Sequence, residues 1–280
     1  MMRIRVFDTP LALARACARD IARALSARPG LVLGLPTGRT PIPLYRALAR
    51  LHEAGRVDFS RATTFNLDEF LGLAAGDPRS YRAFMQRHLF NHVNLSPRRI
   101  HFLNGTARDV DKECRAYERA IDRAGGIDLQ ILGLGLNGHI GFNEPARALI
   151  ARTHRTRLKP GTRRANAALF GHRLGAVPRE AISMGMATIL HARRVVLLAT
   201  GVTKARRVER MIRGPVTPRL PASFLQLHRN VDVWIDRPAA SNLELSHPTF
   251  SSSFSRASTS SPIASRTKSW ARRRRDSDWG

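Results

Sequence analysis

Cysteine is almost absent from this 280-residue chain, which carries only Cys17 and Cys114. Two cysteines make no disulfide framework and leave no CxxC pair for zinc, so a reducing compartment, the cytoplasm, is expected. No apolar run approaches the roughly 20 residues that a membrane-spanning helix needs, and no membrane partner is expected. Ala16-Cys17-Ala18 loosely resembles a leader cleavage site, but Asp8 and Arg15 interrupt any apolar stretch before it, so no signal peptide is expected. Acidic residues are scarce, 21 against 47 basic, for a net charge of +26. Lysine is scarcer still: Lys112, Lys159, Lys204 and Lys268 stand among arginines. Such an excess points to an anionic partner, whether nucleic acid, membrane surface or phosphorylated metabolite, and argues against a protein that handles cations. Between Pro145 and Arg179 there is no acid at all.

What is present is enough to build a core, since 43% of residues are hydrophobic. Residues 3–236 alternate between short apolar runs and helical stripes. Ile4–Phe7 reads as a strand. Leu11, Ala14, Ala18, Ile21 and Leu25 form one face of a helix. Leu31–Leu35 is continuously apolar, as in a parallel strand buried on both faces. A turn, Pro36 to Thr40, leads to a helix with Pro41 near its first turn. Further strands are expected near 62–67, 127–134, 194–199 and 231–235, with helices near 80–91, 109–124 and 203–213. The alternation implies an α/β fold, a mostly parallel sheet with helices on both faces. Composition changes near Pro238. Residues 1–238 are expected to form the domain, and 239–280, rich in Ser and Arg without usable periodicity, a disordered tail.

Gly133-Leu134-Gly135-Leu136-Asn137-Gly138 matches G-x-G-x-x-G directly after a strand. A dinucleotide site would need a helix next and an acid about 20 residues on. The chain offers neither. What the segment does offer, at the carboxyl end of a strand, is Asn137, His139 and Glu144 on a glycine-lined loop. A histidine beside a carboxylate can serve as a general base, and the pattern equally suits a surface histidine and a capping glutamate.

Asp68 and Glu69 close another strand between apolar neighbours. A partly desolvated carboxylate there can take a proton from carbon, and a helix N-cap would show the same pattern. Thr37-Gly38-Arg39-Thr40 sits between strand and helix, where backbone N–H groups suit a phosphate, although the Walker spacing fails. Lys204 falls in the first turn of a helix, an unfavourable place for a cation unless it faces an anion.

These segments, in this order, resemble the glucosamine-6-phosphate deaminase (isomerase) family from about Arg3 to Asp236. The resemblance runs through NLDEFLGL at Asn66–Leu73, ILGLGLNGHIGFNEP at Ile131–Pro145, SMGMATIL at Ser183–Leu190, Thr200–Lys204 and ASFLQLH at Ala222–His228. The 6-phosphogluconolactonases share the fold and a Gly-His pair in this loop but usually lack GFNEP, so the deaminase branch is preferred. The resemblance implies a three-layer α/β/α, Rossmann-like domain without a nucleotide. It implies conversion of glucosamine 6-phosphate and water to fructose 6-phosphate and ammonia, with no metal and no cofactor. Asp68 matches the enolisation base. His139 matches the ring-opening acid/base, with Glu144 and Asn137 as its supports. Thr37, Gly38, Arg39, Thr40, Gly133 and Lys204 match the substrate and phosphate contacts. The implied partner is a small-molecule sugar phosphate; a homo-oligomer is allowed, and nucleic acid is not expected.

The chain departs from the family in three places. Ala168 stands where members usually have a phosphate-binding arginine, which Arg163, Arg164 or Arg173 could replace. His154 and Thr156 stand where activated members carry basic residues, and Arg147 replaces a small residue, so activation by an acetylated sugar phosphate is expected to be absent or altered. A related isomerase, a lactone hydrolase and a non-catalytic sugar-phosphate sensor are the competing readings.

Overall fold

The computed structural model describes residues 2–244. In chain order the elements are β1 (Arg3–Phe7), α1 (Pro10–Ala27), β2 (Val32–Leu35), α2 (Ile42–Glu53), β3 (Thr63–Asn66), β4 (Asp68–Phe70), α3 (Tyr81–His88), β5 (Ile100–His101), α4 (Val110–Arg123), β6 (Leu129–Gly133), β7 (His154–Arg157), α5 (Pro160–Asn166), β8 (Glu180–Ser183), α6 (Met186–Leu190), β9 (Arg194–Ala199), α7 (Ala205–Arg213), β10 (Val231–Asp236) and α8 (Arg237–Glu244).

Seven strands form one parallel sheet in the order β1-β10-β9-β6-β2-β3-β5. Its central strands are apolar on both faces because helices cover both: Val32, Leu132 and Val195 pack into one core, Leu33, Ile131 and Val196 into another. That is the origin of the unbroken apolar runs, and each fully buried Leu, Ile or Val contributes ~1.5–3 kcal/mol. Helix α1 buries Leu13, Cys17, Ile21 and Leu25 on the second core, the stripe expected from its periodicity. Thr9 caps it by accepting from the Ala12 N–H.

From β2 the chain runs outward to β3 and β5, whereas β6, β9 and β10 lie on the other side. The order therefore reverses between β2 and β6, and ligands of open α/β sheets bind at the carboxyl ends of such a pair. The Thr37–Thr40 turn leaves β2 there, and the glycine loop leaves β6.

Two expectations need correction. The strand expected near 62–67 is β3, which ends at Asn66; Asp68 and Glu69 do not close it but open β4, which belongs to a second sheet, antiparallel, in the order β4-β8-β7. Pro41 is the N-cap of α2, at its first turn as expected. The domain does not stop at Pro238, because α8 continues to Glu244 and buries Ala239, Ala240 and Leu243 against the first core. Eight residues are too few to display a helical period. Of the tail expected from 239 onward, residues 245–280 lie outside the described residues. Among the described residues no helix is long and apolar enough to cross a membrane.

Candidate active site

The loop after β6 is shaped around one ring. The His139 imidazole lies across Gly135, where an added Cβ would sit 2.4 Å from the ring. Gly138, at φ +89°, is closed off by Leu220, and its carbonyl accepts from the Ala222 N–H. The glycines of the G-x-G-x-x-G pattern thus make room for a histidine and for the 221–227 turn. The three polar side chains of this loop, Asn137, His139 and Glu144, are internally wired. Glu144 Oε2 accepts from Asn137 Nδ2 at 2.7 Å, and Asn137 Oδ1 lies 2.6 Å from His139 Nδ1. Glu144 itself is 3.7 Å from Nδ1, so its direct influence on the ring is coulombic.

This wiring determines a tautomer. An ionised carboxylate only accepts, so the Asn137 amide must turn its NH₂ to Glu144 and its oxygen to His139. The histidine must then donate from Nδ1, which leaves Nε2 for a substrate. Glu144 is ionised across the working range. Burial raises its carboxyl, but His139, Thr162 and Asn137 outweigh that and hold it at about 2.

Asp68 and Glu69 share a dipeptide and have opposite fates. Glu69 accepts from three main-chain N–H groups, of Phe70, Tyr81 and Arg82, at 2.8 to 2.9 Å. It anchors the amino end of α3 and is structural. Asp68 is 6% exposed, and its Oδ1 has no partner among the described residues. Burial, with the charge of Glu69 next, pushes its carboxyl up to about 8. An unsatisfied buried carboxyl costs stability and persists where chemistry uses it.

The second sheet brings the two halves together. Asp68 is registered against Ser183 in the β4–β8 pair. The Ser183 hydroxyl accepts from the Phe142 N–H at 3.0 Å, and Asn143 Nδ2 donates to the Met184 carbonyl at 2.8 Å. Strand β8 therefore ties the Asp68 segment to the His139–Glu144 loop. Sequence reasoning passed over Ser183 as a site residue although it opens the family-like SMGMATIL segment; nothing local marked it as a neighbour of Asp68.

The proposed phosphate contacts fall beside this loop. Lys204 Nζ donates to the Leu134 carbonyl at 2.7 Å, which holds it at the end of β6 next to Gly133. It lies in the turn just before α7, and burial brings its ammonium down to about 8. The turn 37–40 leaves the N–H groups of Gly38, Arg39 and Thr40 without a backbone acceptor among the described residues. Thr37 meets the Tyr81 hydroxyl, which also donates to Asn166 Oδ1 at 2.9 Å. Tyr81, another residue not singled out from sequence, thereby joins the turn to α5. Of the three arginines that could replace the contact missing at Ala168, Arg163 is committed to the Leu174 and Val177 carbonyls. Arg164 and Arg173 are exposed.

Comparison with known proteins places this geometry. A family model described as glucosamine-6-phosphate isomerases/6-phosphogluconolactonase matches residues 8–234. A glucosamine-6-phosphate deaminase of Clostridium botulinum (strain Kyoto / Type A2) is 46% identical over 244 residues, covering 87% of this chain and all of the relative. One from Thermoanaerobacter sp. (strain X514) is 44% identical over 229 residues, 82% of this chain and 90% of the relative. A solved monomeric glucosamine-6-phosphate deaminase, described as a missing link of the NagB superfamily, superposes with a TM-score of 0.83 at 43% identity, over 86% of this chain and all of that one. A 6-phosphogluconolactonase from Trypanosoma cruzi superposes at 0.70 with 22% identity, over 87% and 97%, a likeness of fold alone.

Proposed function

Since the chain belongs to the glucosamine-6-phosphate isomerase and 6-phosphogluconolactonase family, we propose that it is a glucosamine-6-phosphate deaminase, releasing ammonia and fructose 6-phosphate from glucosamine 6-phosphate and water in amino sugar catabolism. The observation that carries this reading is a buried carboxyl, Asp68, whose Oδ1 has no partner among the described residues, on a strand whose neighbour β8 hydrogen-bonds to the loop of a histidine of defined tautomer.

The chemistry needs both. The C2 proton of the sugar becomes acidic only when the ring opens to the aldehyde. His139, through Nε2, opens the ring by moving a proton between the C1 hydroxyl and the ring oxygen. Glu144, acting through Asn137, stabilises the imidazolium that forms. Asp68 then takes the proton from C2 and returns it to C1. Water adds to C2 and ammonia leaves. In the empty site a carboxyl near 8 is mostly protonated at neutral pH. The ammonium on C2 of the bound sugar is the counter-charge that brings it down, so the base is armed by its own substrate. The phosphate is held by the Thr37–Thr40 turn and Lys204, with Gly133 allowing close approach.

Two coupled assays test the reading on purified full-length protein: ammonia release from glucosamine 6-phosphate, and hydrolysis of 6-phosphogluconolactone. Ammonia release with at most trace lactone hydrolysis is expected; the reverse outcome would overturn it. Ligand-induced stabilisation without turnover would establish a sensor instead.

A further inference from the structure

A second basic concavity lies away from the His139 loop. It is open to solvent, has a volume of about 470 Å³, and is lined by Thr63, Ser96, Arg98, Arg99, His101 and Arg123, with Ala120 and Ala124 between them. Thr63 opens β3, whereas Asp68 follows that strand's carboxyl end, so the concavity belongs to the other end of the strand. No carboxylate lines it. Among the described residues, Arg98 and Arg123 have no acidic partner and Arg99 reaches only the Thr63 hydroxyl, at 3.4 Å. Elsewhere this chain neutralises converging arginines: Asp128 takes Arg28 and Arg193, and Asp232 takes Arg3 and Arg194. All three arginines are exposed, and with no carboxylate among them their planar forks are open to phosphate oxygens. One wall is rigid, because the His101 ring stacks on Phe65 with centroids 4.3 Å apart and planes within 7°. Burial, together with Arg123, lowers the His101 imidazole, so at neutral pH the ring can donate one hydrogen bond without adding a fourth charge.

We propose that the Arg98–Arg99–Arg123–His101 concavity is a binding site for the phosphate group of a small phosphorylated metabolite, separate from the catalytic site. Hydroxyls of Thr63 and Ser96 supply the neutral hydrogen bonds that such a headgroup takes beside its ion pairs. The proposal does not rest on the deaminase reading, since no residue of the catalytic loop takes part.

His101 gives a local readout that phosphate at the catalytic site does not move. Inorganic phosphate and pyrophosphate are titrated into ring-labelled full-length protein at constant ionic strength, with sodium chloride as the balancing salt. The His101 resonance should shift saturably, with pyrophosphate at least ~5-fold tighter than phosphate because three guanidiniums share the larger charge. In Arg98→Ala/Arg123→Ala the affinity should fall at least ~10-fold while ammonia release keeps its wild-type rate. An unmoved His101 in wild-type protein overturns the proposal without any variant, as does a shift reproduced by sodium chloride alone. A short DNA duplex that moves His101 at lower concentration than pyrophosphate also overturns it, in favour of a surface for nucleic acid.

Discussion

His139 lies over Gly135 so closely that the smallest possible side chain there would meet the ring at 2.4 Å. Gly133, two residues earlier at the end of β6, has nothing within 4 Å of an added Cβ. Gly135→Ala should therefore displace the imidazole and cut kcat by at least ~10²-fold, the scale of a lost general acid–base step. The protein should still fold and bind phosphate. Gly133→Ala should fold as wild type, so any rise in its KM reads a substrate contact directly. Steady-state kinetics beside thermal melts check both.

Asp68→Asn should abolish ammonia release and raise stability at the same time. The folded-state carboxyl is raised, to about 8. It keeps its proton as pH climbs from about 4 while the unfolded chain loses its own, so wild-type stability falls across that window. The amide carries no such penalty. A gain of ~1 kcal/mol or more at pH 8, or about 2–4 °C for a domain of this size, shrinking to nothing near pH 4, is the expected melting profile. A variant that turns over at near-normal rate removes Asp68 from the mechanism.

Asn137→Leu removes the relay between Glu144 and His139 at nearly constant volume. Both Nδ1 of the histidine and Oε2 of the glutamate lose a partner at 2.6 and 2.7 Å. The tautomer is then unspecified, and kcat should fall ~10²-fold with KM changed less than about 3-fold. Equal losses in kcat and binding would show that the residue acts on the fold.

Lys204 loses its proton near pH 8 because burial, without a carboxylate neighbour, brings it down. Equilibrium binding of a non-reacting sugar phosphate should hold steady below that pH and weaken as pH rises through it, since the cation is present only on the acid side. Lys204→Met should bind weakly at every pH and flatten the profile. An unchanged profile in that variant would place the phosphate elsewhere.

Much of this was readable before any coordinate. The alternation of strands with helices, and the apolar run at β2, announced a mostly parallel sheet covered on both faces. Asp68, Asn137, His139, Glu144 and Lys204 stood out at strand ends, where capping and surface roles suit the same pattern, and the family resemblance is what implied a role for each. The short second sheet was invisible, since β4 has three residues and β7 alternates half-buried and exposed positions with little apolar character. Helix α8 was hidden in a compositional shift.

Residue order alone established the layers, the strand-end loops and a short roster of polar groups within them, because periodicity and glycine placement are local properties. Which groups meet is not local. That Asp68 is free while Glu69 is spent on three amide N–H groups depends on where α3 docks. That the Asp68 strand is tied to the His139 loop depends on Ser183, 115 positions along, which pairs with Asp68 through β8 and accepts from the Phe142 N–H. That Arg163 is unavailable to a phosphate depends on two carbonyls more than ten residues away. Hydrogen-bond partners across such separations are selected by packing, and packing is decided only when the whole chain is in place.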